Sequence, residues 1–189
     1  MRIYFVGAHS TGKTTMARYT AQQHGLSLLT EVARLLLAEK EITLEALRSD
    51  IQAVNAYQRG VLERQIAEES KKEHFVSDRS FDNLAYAAMH TTVLRGVIKD
   101  HALEEYVEKL REDDVAIFFI RPSKQLICND GVREKVEWDD LVRIDAVIKF
   151  MLEMWGLKYF QINTSSMQER IRLVDAVLSL MIKGERNGS

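Results

Sequence analysis

One cysteine, Cys128, and one proline, Pro122, occur in 189 residues. A lone cysteine makes neither an intramolecular disulfide nor a multi-cysteine zinc site, which points to a reducing compartment and leaves Cys128 an ordinary thiol. With one proline, nine glycines and no low-complexity stretch, nothing reads as an interdomain linker, and there is no internal repeat. The longest apolar runs, Leu84 to Met89 and Val115 to Ile120, are six residues, against roughly 20 for a bilayer crossing. No membrane span is expected. The segment from Met1 to Gly7 has too short an apolar run for a signal peptide and no small-residue cleavage site, so a cytosolic protein is expected. A basic excess is missing too: 26 Lys plus Arg stand against 28 Asp plus Glu, a net charge of −2. That balance disfavours a polynucleotide partner unless a local basic patch supplies one.

What is present is ordinary globular composition, 46% hydrophobic and 29% charged, enough for one domain with a sizeable core. Residues 1–183 are read as that domain and 184–189 as a flexible tail. Short β-rich runs at Arg2 to Val6, Leu26 to Leu29, His74 to Ser77, Val115 to Ile120 and Lys158 to Ile162 alternate with longer segments whose apolar residues recur three and four apart. This is the pattern of βαβ units, and it predicts a three-layer α/β fold with a five-stranded parallel sheet. Leu44, Leu47, Ile51, Val54, Val61 and Leu62 form a stripe on a helix expected from about Thr43 to Ser70. Trp138, Leu141, Val142, Val147, Ile148, Met151, Leu152 and Trp155 form another, closed by Gly156 at the left-handed C-terminal position. Ser166 with Glu169 reads as a capping box opening a last helix through about Ile182.

Gly7-Ala8-His9-Ser10-Thr11-Gly12-Lys13-Thr14-Thr15 has the form G-x-x-x-x-G-K-[ST] between a strand and a helix. The glycines let the backbone curl so that successive N–H groups converge on phosphate oxygens, and the helix N-terminus adds a favourable dipole. Lys13 is expected on the β- and γ-phosphates of ATP and Thr14 on Mg²⁺. His9 reads as a side chain tolerated in a loop whose backbone does the binding. A phosphate loop names a nucleotide and not a reaction, but three missing motifs narrow the choice. There is no Asn-Lys-x-Asp for guanine selection, no Leu-Ser-Gly-Gly, and no Asp-Glu pair at the second strand-end carboxylate. Phosphoryl transfer to a small acceptor is favoured.

That carboxylate is Asp78, after His74-Phe75-Val76-Ser77. At the ligand-facing edge of a doubly wound sheet it would hold Mg²⁺ or take a proton from an attacking hydroxyl; otherwise it caps a helix. Glu31, after the second strand, sits at the same edge and would bind sugar hydroxyls or act as base, or is first-turn helix charge. Arg34 and Arg79 would clamp an acceptor phosphate, or pair with Glu31 and Asp78.

Asp78-Arg79-Ser80 with Ala85-Tyr86 resembles the Asp-Arg motif of thymidylate kinases and deoxynucleoside kinases. From about residue 2 to 180, the motif order is similar to the ribosylnicotinamide kinase domain of the bacterial NAD-biosynthesis regulator and the P-loop ATPase/kinase family around it. Thr30-Glu31-Val32-Ala33-Arg34 matches its Glu-x-Ala-Arg segment, and Asp130-Gly131-Val132-Arg133 its Asp-Gly-x-Arg lid segment. The resemblance implies that Glu31, Arg34, Asp78, Arg79 and Asp82 line the acceptor pocket, with Tyr86 beside them, and that Arg133 closes over the phosphates. Arg79 departs from the ribosylnicotinamide kinase pattern, and the arginine-rich lid of nucleoside monophosphate kinases is missing.

Residues 121–137 read as the lid, from Arg121-Pro122-Ser123 to Glu137. Kinases exclude water while the γ-phosphoryl moves, and a lid arginine meets developing charge. Arg133 is the first candidate, with Arg121 and Arg143 behind it, or the segment is a solvated surface connection. Asn163 and Thr164 would meet the adenine edge or cap the last helix. The expected function is an ATP- and Mg²⁺-dependent kinase acting on a nucleoside or nucleoside monophosphate, with Lys13, Asp78, Glu31 and Arg133 as catalytic residues and Gly7, His9, Ser10, Thr11, Gly12, Lys13, Thr14, Thr15 and Asn163 around ATP. A homodimer is left open. The rival readings are an ATP-dependent switch and a kinase of a modified base within a polynucleotide.

Overall fold

The computed structural model describes residues 1–30, 50–90, 93–126 and 137–187. In chain order the elements are β1 (Arg2–Val6), α1 (Lys13–His24), β2 (Ser27–Leu29), α2 (Ile51–Glu69), β3 (Phe75–Ser77), α3 (Asn83–His90), α4 (Val93–Val97), α5 (His101–Leu110), β4 (Val115–Ile120), α6 (Trp138–Met154), β5 (Phe160–Ile162) and α7 (Met167–Asn187). The five strands are all parallel, in the order β2-β3-β1-β4-β5. With helices on both faces this is the three-layer α/β architecture of P-loop NTPases.

β1 is paired with β4 along its whole length, from Arg2 opposite Val115 to Val6 opposite Phe119. Both are covered on two faces, which explains why they read as continuous apolar runs. Side chains alternate between the faces. Ile3, Phe5, Val76, Ala116, Phe118, Ile120 and Ile162 pack under α1 and α7, whereas Tyr4, Val6, Phe75, Ile117 and Phe119 pack under the helices of the other layer. α1 follows β1 onto the first face and α3 follows β3 onto the second. Adjacent strands β1 and β3 therefore send their loops apart, and a crevice opens beyond their C-terminal ends.

Three expected strands start later than the sequence pattern suggests, at Ser27, Phe75 and Phe160. α2 begins at Ile51, with Asp50 accepting from Gln52 N at 2.8 Å as its N-cap; residues 43–49, with Leu44 and Leu47, lie outside the described residues. Its buried face is Tyr57, Val61, Leu62, Gln65 and Glu69, while Ile51 is 48% exposed. Two polar side chains thus occupy core positions that the apolar pattern passed over. On α6 Val142 is exposed and Ile144 and Asp145 are buried, because the sheet-facing stripe runs one residue further round.

α6 ends in a Schellman motif: Gly156 has φ 59, its N–H donates to Glu153 O, and Leu157 N–H donates to Leu152 O. At the start of α7 the capping box is half formed. Ser166 Oγ accepts from Glu169 N at 3.4 Å, but the Glu169 carboxylate turns to Thr164 Oγ1, which in turn accepts from Ser166 N. The helix continues past Ile182 to Asn187. Lys183, Glu185 and Arg186 are good helix formers and carry it through Gly184.

Candidate functional site

The loop after β1 is built from unusual backbone. Gly7 has φ 152, Ser10 φ 55 and Gly12 φ 89. A Cβ on Gly7 would stand 2.4 Å from the Ile120 carbonyl oxygen of β4, so only glycine fits there. Ser10 holds a left-handed conformation without that freedom, a local strain sustained by the surrounding loop. Backbone turned this way gathers N–H groups into a concavity that suits an anion. Thr11 Oγ1 donates to Ala8 O at 3.0 Å and closes the loop from within. Lys13 Nζ donates to Gly7 O at 2.8 Å and Ala8 O at 2.7 Å, so its charge lies along the loop rim. Thr15 is exposed on the first turn of α1.

Asp78 extends β3, its N–H donating to Leu29 O of β2 at 3.2 Å. The carboxylate reaches across the crevice to β1's side, where Oδ2 accepts from Thr14 Oγ1 at 2.5 Å. Among the described residues Oδ1 is buried with no hydrogen-bond partner. Asp78 is no helix cap, because α3 begins five residues later at Asn83. A carboxylate with a spare oxygen beside a threonine hydroxyl is a donor set that fits Mg²⁺, which takes one or two protein oxygens and completes its shell with phosphate and water.

Beyond Asp78 the chain turns sharply. Asp82 is buried and accepts from Ser80 N at 2.9 Å. Burial pushes its carboxyl up, while the positive charges of Lys13 and Arg79 pull it back. Tyr86, on α3, lays its ring against that of His9 with centroids 4.2 Å apart. Burial pushes its hydroxyl far up; Asp82 adds to this and Arg79 opposes it. Arg79 is half-buried, and its charge also bears on Tyr57 of α2. Lys13, Thr14, Asp78, Arg79, Asp82, His9 and Tyr86 thus share one crevice. Glu31, Arg34 and the whole Asp130 to Arg133 segment lie outside the described residues, as does Cys128.

A family model described as an AAA domain matches residues 2–170. The chain belongs to that family. Among curated proteins none matches it. Among solved structures the chain is similar to deoxyadenosine kinase from M. mycoides, at 14% identity and a TM-score of 0.67 over 96% of this chain and 100% of that one. It is similar to shikimate kinase from Acinetobacter baumannii at 16% identity and 0.58, over 97% and 93% of the two chains. It is also similar to the NadR protein in complex with NR, at 16% identity and 0.65, over 87% of this chain but only 44% of that one. At these identities the likeness is one of fold, that of P-loop NTPases and nucleoside or nucleotide kinases.

In this AAA domain the start of the expected lid is tied down. Arg121 donates through Nε to both oxygens of buried Asp145, at 2.9 and 2.8 Å, and lies over the Phe119 ring. Arg143 is exposed and faces Asp140. Asn163 is exposed and accepts from Gln161 Nε2 at 2.8 Å, and Thr164 serves the start of α7. Among the described residues no helix is long and apolar enough to cross a membrane.

Sequence reasoning missed the support beneath the Asp78 loop. Glu69, at the end of α2, is buried and accepts from Tyr4 OH at 2.7 Å, Tyr106 OH at 2.9 Å and Gln65 Nε2 at 2.6 Å. Gln65 Nε2 also donates to Ser77 Oγ at 3.0 Å, and Ser80 Oγ meets Tyr106 OH at 2.8 Å. Burial outweighs the three donors and pushes the Glu69 carboxyl up to about 7. The signal in the sequence was Gln65 and Glu69, four apart on the face of Val61 and Leu62.

Proposed function

We propose that this protein is a Mg²⁺-dependent kinase that moves the γ-phosphoryl of ATP onto a nucleoside or nucleoside monophosphate. The observation that carries this reading is Asp78: its Oδ2 holds Thr14 at 2.5 Å and its buried Oδ1 has no partner among the described residues, at the mouth of a glycine-built loop. The loop amides and Lys13 take the β- and γ-phosphates. Thr14 and Asp78 hold the metal, which when bound neutralises charge on the β- and γ-oxygens. Asp78 or Glu31 orients or deprotonates the acceptor, and Arg133 meets the charge of the moving phosphoryl. Arg79, Asp82 and Tyr86, with Arg34, form the acceptor side. The deoxyadenosine kinase and NadR likenesses support an acceptor of nucleoside type, and the shikimate kinase likeness supports a hydroxyl as nucleophile.

The test is ADP release from Mg²⁺-ATP against nucleosides, nucleoside monophosphates, nicotinamide riboside, shikimate and oligonucleotides, with Lys13→Ala as control. Stimulation by one nucleoside-type acceptor, lost in the control, is the expected result. Slow turnover indifferent to every acceptor, yet lost in the control, overturns the kinase in favour of the ATP-dependent switch.

A further inference from the structure

α7 lays Arg170, Val174 and Leu178 against the sheet as one stripe four residues apart, each 0% exposed. Two of these are ordinary core residues. The third is a guanidinium in an apolar position, and such a breach of local pattern marks a site under a second demand. Arg170 reaches the underside of the phosphate loop. Its Nη1 donates to Thr11 O at 2.5 Å and its Nε to Thr164 O at 2.7 Å. A Cβ on Gly12 would stand 3.0 Å from Nη1. Nη2 is buried and, among the described residues, has no hydrogen-bond partner. Among the described residues no carboxylate pairs with it, and burial alone acts on its pKa, downward.

A guanidinium cannot relieve this by losing its proton in the physiological range. Two carbonyls supply only partial negative charge, so among the described residues the fold keeps a buried cation without a counter-ion, an arrangement that normally costs stability. An anion on the opposite side of the loop would supply the compensating charge. The peptide geometry agrees. No peptide bond among the described residues is cis, so anchoring Thr11 O beneath the loop turns the Gly12 N–H to the other side.

We propose that Arg170 is a positioning residue for phosphate binding: it supplies buried positive charge behind the loop, aims the Gly12 amide, and ties the β5–α7 connection to the nucleotide. The proposal rests on the reading of the Gly7 to Thr14 loop as a polyphosphate site.

Inorganic tripolyphosphate, which has no base or sugar, tests it by calorimetric titration of the full chain as wild type, Arg170→Lys and Arg170→Gln. Lysine keeps the charge, and glutamine keeps a neutral donor. One charge acting through low dielectric predicts about tenfold weaker binding in Arg170→Gln and recovery of most of that loss in Arg170→Lys. Equal affinities in all three, or better rescue by glutamine, overturn the proposal. Wild type that binds no tripolyphosphate removes the phosphate-site reading itself. Should both variants fail to fold, hydrogen exchange on the wild type decides: tripolyphosphate is expected to protect amides 163–171 together with 7–14, and protection confined to 7–14 overturns the proposal.

Discussion

Each face of the sheet buries a long ionisable side chain beneath a loop of the crevice, Arg170 on one and Glu69 on the other, and the two behave differently. Under α7, Arg170 lies below the phosphate loop, held by two carbonyls and, among the described residues, by no carboxylate. Under α2, Glu69 lies below the Asp78 loop, held by two tyrosines and a glutamine. The carboxyl is pushed up to about 7 and so sheds its charge near neutrality. The guanidinium has no such exit. One face therefore stores a charge that an anion would relieve, and the other stores one that a proton relieves.

The sharpest way to break this pairing is to remove the charge that the Asp78 loop presents to the phosphate loop across the crevice. Asp78→Asn keeps the shape and deletes the charge; the expected loss in acceptor-dependent turnover is on the order of 10² to 10⁴, with tripolyphosphate binding kept within a few-fold. Steady-state kinetics beside calorimetry separates the two. Next, Glu69→Ala leaves the buried Tyr4 hydroxyl without its acceptor and takes one from Tyr106 and Gln65, which keep Ser80 and Ser77, and should lower unfolding free energy by about 3 kcal/mol in denaturant titration. A loss under about 1 kcal/mol would mean the donors find other partners.

The same carboxylate sets a pH dependence of similar size. Its folded pKa lies above the ordinary glutamate value, so its contribution is full below about pH 4.5 and is lost as pH rises to about 7. Besides the tyrosines and Gln65, the positive charge of Arg2 bears on it, opposing the rise. Stability at neutral pH should therefore be lower by roughly 3 kcal/mol on this account, a slope that Glu69→Gln flattens. Arg170 has no counterpart to it. The smallest expected effect is at His9→Ala, which removes the ring contact with Tyr86 and should cost about 1 kcal/mol or less.

The phosphate loop was legible because its spacing is dictated by local backbone. Gly7 must pass within contact of β4, and Gly12 must turn left-handed. Asp78 was legible because it follows a short apolar strand, though its bond to Thr14 joins residues 64 apart and has no local signature. The α2 face was misread at Ile51, and Gln65 and Glu69 were passed over, since periodicity counts apolar residues and these buried positions are polar. Thr164 showed a cap where the Ser166 and Glu169 pattern suggested a complete box, because its hydroxyl took both partners.

The sequence by itself determined the strand–loop–helix unit at the N-terminus, the β/α alternation and the carboxylate at the third strand end, for each depends on residues near in the chain. Only the tertiary structure decided that β1 and β3 are neighbours, which gathers Lys13, Thr14, Asp78 and Asp82 into one crevice. It alone also placed Arg170 and Glu69 beneath the two loops. Such contacts span dozens of residues, and a buried charge is recognised only once its surroundings are known, because what burial costs depends on the partners that other elements bring to it.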